Sequence, residues 1–100
     1  MIRANTDRKW LPLYEALASG VRLSVLELLA EKPMNVKVLA QRLNLSAAIL
    51  TMHIRKLEAA ELIETKMVRK EGGTHKMCML KESAVEIQLP SPGSSDGNII

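Results

Sequence analysis

Ser46, Ala47, Ala48, Thr51, Met52, Arg55 and Lys56 fall within eleven residues of one another, mostly three or four apart. On a helix that spacing sets side chains side by side on one outward strip. Further along come Lys70, Thr74 and Lys76, beside Gly72-Gly73. These residue types suit recognition better than bond-making. Alanine and a threonine methyl can touch a thymine methyl group. A threonine hydroxyl offers one hydrogen bond, and arginine reaches guanine O6/N7 or a phosphate. Ser46 at a helix N-terminus, Lys56, Lys70, Thr74 and Lys76 suit phosphate oxygens. Read together, the ten residues fit double-stranded DNA, with few bidentate base contacts and most affinity from phosphates.

Catalytic chemistry finds no support. The chain has no paired carboxylates at a useful spacing, no nucleophile beside a base, no phosphate loop and no metal motif. Cys78 is the single cysteine and cannot form an internal disulfide; His53 and His75 make no cluster with it. We therefore expect no enzyme, no metal, no cofactor and a reducing cytoplasmic compartment. No stretch approaches the roughly 20 apolar residues needed to span a bilayer, and no signal peptide is evident, so no membrane partner is expected. Cys78 reads as an apolar filler on a strand. His53 reads as a locally bonded helix residue or a phosphate contact. Arg22 serves either the fold or a DNA backbone.

Charge is unevenly placed. Between Lys32 and Lys81 stand ten Lys/Arg against four Glu, whereas the whole chain carries only +3. The positive half contains the strip described above, as an electrostatic footprint for phosphate requires. Hydrophobic content of 47 % supports a core, but with aromatics at 2 % it must be aliphatic.

The elements that must hold these residues follow from periodicity. Residues 1–10 are polar and expected to be flexible. Pro12 suits a first helical turn, giving a short helix over 11–18. "VRLSVLELLAEK" has a broad apolar stripe of period 3.6 and is ended by Pro33. Asn35 caps a two-turn helix, and Asn44 suits a left-handed C-terminal position. Ser46 caps the next helix, 47–60, with Leu50, Ile54 and Leu57 inward. "LIETKMVR" and "HKMCMLK" flank a Gly-Gly turn and form a hairpin over 66–80. "AVEIQL" offers a third strand, and 90–100 reads as a linker or truncated tail. The result is an α+β, mostly helical domain over 11–89: three to four helices and a β-hairpin wing, a winged helix-turn-helix.

Three segments resemble the ArsR-type winged-helix regulators. They are "ALASGVRLSVLELLAEK", which keeps the family's Arg22, "NVKVLAQRLNLS", and "LSAAILTMHIRKLEAAELIE", which keeps Ser46, His53, Leu57, Ala60 and Leu62. The resemblance implies the DNA-binding domain of a transcriptional regulator, acting as a homodimer. Helix 47–60 would enter the major groove and the wing would follow the adjacent backbone. An effector, if any, would bind a part outside this chain. Metal-sensing members carry cysteines where this chain has Asn35 and Lys37, which disfavours a metal sensor. The closing dimerisation helix of many members has no counterpart in "ESAVEIQLP". The family's glycine after the recognition helix is Glu61 here, which costs about 1 kcal/mol if φ is positive. The competing reading is a protein-interaction module that uses the apolar Ala47, Ala48, Ile49 and Met52.

Overall fold

The computed structural model describes residues 1–92. In chain order they form β1 (Ile2–Ala4), a 3-10 turn (Arg8–Trp10), α1 (Leu11–Leu17), α2 (Gly20–Glu31), β2 (Met34–Asn35), α3 (Val36–Leu43), α4 (Ala47–Ala59), β3 (Ile63–Lys70), β4 (Gly73–Leu80) and β5 (Val85–Ile87). This is the expected winged helix-turn-helix. β3 and β4 pair antiparallel from Ile63↔Leu80 to Lys70↔Gly73. The wing's turn closes on Glu71 and Gly72. Gly72 has φ 89, where only glycine sits without strain.

Local chemistry sets the helix ends. Ser19, Asn35 and Ser46 each accept a backbone N–H from inside their helix, at Arg22, Val38 and Ile49. α2 stops at Glu31, with Lys32 extended before Pro33. Asn44 is left-handed at φ 54, and Leu45 N–H donates to Ala40 O at 2.9 Å, which stops α3 as expected. α4 ends the same way on Glu61, at φ 60, with Leu62 N–H on Leu57 O at 3.1 Å.

The core is aliphatic. Leu50, Ile54 and Leu57 of α4 are fully buried with Val25, Leu39, Ile63 and Cys78. Met34 of β2 pairs with Cys78, which brings a third strand to the wing sheet in the order β2-β4-β3. That two-residue strand is too short to leave a period in the sequence.

One expectation needs correction, and one strand finds its partner. Residues 1–10 are not a loose end: β1 pairs in parallel with β5, Ala4 is buried, and Asp7 caps the 3-10 turn. The third strand expected at "AVEIQL" is present as β5, and its partner is β1. Parallel strands need a long crossover, and here the whole helical domain supplies it. The N-terminal amine adds an ion pair to Glu82 at 3.0 Å. Most of the expected tail, residues 93–100, lies outside the described residues.

Candidate nucleic-acid interface

α4 has three sides. Leu50, Ile54 and Leu57 face the core. One flank faces α1 and α2: His53 meets Arg22, and Lys56 lines a small cleft with Pro12, Glu15 and Ala16. The other flank faces the wing through Ala47 and Glu58. The remaining strip, Ala48, Met52 and Arg55, is exposed, with Met52 at 60 %. Ser46, Ala47, Ala48, Met52, Arg55 and Lys56 are thus all exposed around the first two turns and one edge of α4. Ile49 is also exposed, at 47 %.

Thr51 is more constrained than the sequence suggested. It is half-buried, and its Oγ1 donates to Ala47 O at 2.7 Å. Its proton is therefore spent on the helix, leaving the methyl and an acceptor lone pair for a ligand.

The wing residues divide between two faces. Opposed residues in an antiparallel pair share a face. Thr74 therefore lies with Arg69, and Lys76 with Met67, on the face that carries buried Ile63 and Cys78. Lys70 falls on the other face. Lys76 Nζ sits 3.8 Å from Glu58 Oε1, while Thr65 Oγ1 donates to Glu58 Oε2 at 2.7 Å. Glu58 thereby ties α4 to the wing and shares the charge of Lys76. The expected basic tip also carries an acid, since Glu71 occupies the turn beside Lys70.

Two residues left open by sequence are now placed. Arg22 is nearly buried and belongs to the fold: Nε donates to Ala16 O and Nη2 to Glu15 O, both at 2.8 Å. It caps the C-terminal carbonyls of α1. Its Nη1 lies 3.0 Å from His53 Nδ1. Burial first, then the charges of Arg22 and Lys56, hold His53 below the ordinary histidine pKa. Cys78 is fully buried, and burial pushes its thiol up to about 11, so it is an unreactive filler.

Among the described residues no group of three or more His, Cys, Asp and Glu could hold a metal, and no helix is long and apolar enough to cross a membrane.

Comparison with known proteins agrees with this geometry. The family model of a helix-turn-helix domain matches residues 17–66. A Methanocaldococcus jannaschii protein described as an uncharacterized HTH-type transcriptional regulator is 35% identical over 68 residues, covering 68% of this chain and 72% of that one. The structure of HlyU from Vibrio cholerae superposes with a TM-score of 0.61 at 32% identity, covering 73% of this chain and 75% of that one. A homodimeric winged helix-turn-helix DNA-binding domain from Mycobacterium bovis, from a possible ArsR-family regulator, gives 0.62 at 26% identity, covering 72% and 63%.

Proposed function

Because the chain belongs to the ArsR-type winged helix-turn-helix transcriptional regulators and is a DNA-binding regulator, we propose that α4 enters the major groove with Ala47, Ala48, Thr51, Met52 and Arg55 toward the bases. The observation that carries this reading is the exposed strip on α4, left uncovered between Lys56 on one flank and the Glu58–Lys76 pair on the other. Small side chains at its N-terminal end let the helix approach base edges closely. Thymine methyl contacts and duplex shape then account for much of the discrimination. Arg55 is the one long donor on the strip and is assigned to a guanine or an adjacent phosphate. Ser46, Lys56, Lys70, Thr74 and Lys76 are assigned to the backbone.

The reading includes a homodimer in the cytoplasm. The homodimeric Mycobacterium bovis relative supports two copies, as do the exposed Leu11, Ile87 and Leu89 on or beside α1 and β5. A dimer of this kind should select inverted half-sites about one helical turn apart.

Selection of bound sequences from a random duplex pool, at low and near-physiological salt, tests the proposal. Enrichment of an inverted repeat is expected. Binding without enrichment would remove base readout from α4. Absence of binding at low salt would overturn the groove assignment and return the apolar strip to a protein-interaction role.

A further inference from the structure

The sheet formed by β1 and β5 leaves the far edge of β5 unpaired. Ile2 N–H donates to Ala84 O at 3.1 Å and Gln88 N–H to Ala4 O at 2.9 Å, so the even-numbered residues around β5 turn their backbone toward β1. In a parallel pair the alternate residues turn theirs the other way. Val85 and Ile87 therefore aim N–H and C=O at the far edge, and no backbone hydrogen bond among the described residues uses them. The edge is apolar as well: Ile87 is 45 % exposed and Leu89, just beyond it, 69 %. A groove of about 310 Å³ begins at Val85 and is walled by Leu17, Leu26, Leu62 and Leu80. A sheet of two strands is marginally stable at best in water. Of the usual guards of an open edge, residues 85–89 hold one charge, Glu86, and no proline or lysine.

We propose that β5 pairs antiparallel with β5 of a second copy about a two-fold axis at Ile87, so that a four-stranded sheet, β1-β5-β5-β1, joins the two copies. The inference rests on the homodimer reading and names its surface. Two registers hydrogen-bond both Val85 and Ile87 to partners within residues 85–89. An axis at Glu86 sets two carboxylates directly opposite, which is unfavourable. An axis at Ile87 sets Glu86 opposite Gln88 of the second copy, twice by symmetry, and a carboxylate accepts from a carboxamide. That register also makes Leu89 of the second copy the cross-strand neighbour of Val85, at the mouth of the apolar groove. β1 is the poorer edge: it turns only Arg3 outward, and a two-fold there opposes two guanidinium groups. Residues 82–90 form this strand and not the closing dimerisation helix of many ArsR-type members, so the surface is particular to this chain.

Sedimentation across a concentration series, on the full chain and three variants, tests the interface, with folding checked by circular dichroism. Gln88 is exposed and its bond to Ala4 is made by the backbone, so changes of its side chain leave the fold intact. Gln88→Lys sets a cation opposite Glu86 at both symmetric pairs and should tighten the dimer several-fold. Gln88→Glu sets two acids opposite and should loosen it several-fold. The net charge of +3 alone would give the reverse order, because added positive charge drives the copies apart. Ile87→Pro removes an N–H that points away from β1 and should abolish self-association. If that variant fails to fold, the opposite shifts of the two Gln88 variants decide the matter. A dimer that no variant shifts keeps the homodimer reading and overturns the strand interface. A wild type that stays monomeric overturns both together and leaves the edge to a strand of a different protein.

Discussion

Nη1 of Arg22 lies 3.0 Å from Nδ1 of His53, so a side chain of α2 grips the helix that carries the exposed strip. The same guanidinium closes the carbonyls of Glu15 and Ala16. One residue therefore locks α1, α2 and α4 together. Arg22→Met keeps the apolar stem but strands two carbonyls, one of them in a buried bond. We expect a loss of about 1.5–3 kcal/mol in urea unfolding, the range for hydrogen bonds to a charged group. A loss under 0.5 kcal/mol, about that of an ordinary surface change, would show that the carbonyls find other partners.

The same contact has a pH signature. With Arg22 donating, Nδ1 of His53 must keep its lone pair, so the folded state favours neutral imidazole. Burial and the charges of Arg22 and Lys56 lower its folded pKa below the unfolded value of about 6.5. The unfolded chain then binds more protons than the folded one as pH falls through that range. Stability from this group is complete above about pH 6.5 and is lost as pH falls toward the folded pKa. His53→Gln, which cannot titrate, should flatten the unfolding free energy between pH 7 and 5. A slope identical to wild type would assign the pH dependence to other groups.

Much of this arrangement was legible in the sequence because capping chemistry is local. Asn35, Asn44 and Ser46 each act within a few residues of themselves, and all three sit as their types require. The hairpin was legible for the same reason. What escaped was non-local. β2 is two residues long and leaves no periodic trace, and the alternation in "AVEIQL" marks β5 as a strand without showing that its partner is β1, at the far end of the chain. The candidate interface divides likewise. The exposure of Ala48, Met52 and Arg55 follows from helical spacing, whereas the bond from Thr51 to Ala47 and the sharing of Lys76 with Glu58 depend on which groups meet.

Glu61 offers a test of backbone strain. Its φ of 60 is a left-handed conformation that a residue with a Cβ adopts at a cost, and its side chain gives back only an exposed ion pair to Lys81 at 3.8 Å. Glu61→Gly should stabilise the domain by up to about 1 kcal/mol, reduced by the extra freedom glycine has when unfolded. The midpoint of urea unfolding should rise with its slope unchanged. A lower midpoint would mean that Glu61 makes contacts worth more than the strain.

On the exposed strip, Thr51 and Arg55 should behave differently. Thr51 has already given its proton to Ala47 O, so Thr51→Val removes only an acceptor and keeps the methyl. Affinity for a selected site should hardly change, and a tenfold loss would show that the hydroxyl accepts from a base. Arg55→Ala should cost about 1–3 kcal/mol on that site if the side chain reads a guanine. Equal losses on unrelated duplexes would make it a phosphate contact.

At the wing tip Lys70 and Glu71 are neighbours of opposite charge, and phosphate should feel both. Lys70→Ala should weaken all duplexes roughly equally, with a shallower salt dependence. Glu71→Gln should do the reverse: removing the acid from the turn strengthens binding to every duplex, most at low salt where screening is least. Gly72 keeps its backbone in either variant, so the turn itself is unaffected. The pair of measurements decides whether the tip reaches the DNA. Opposite shifts from the two variants put it on the backbone, and two unchanged affinities hold it in solvent.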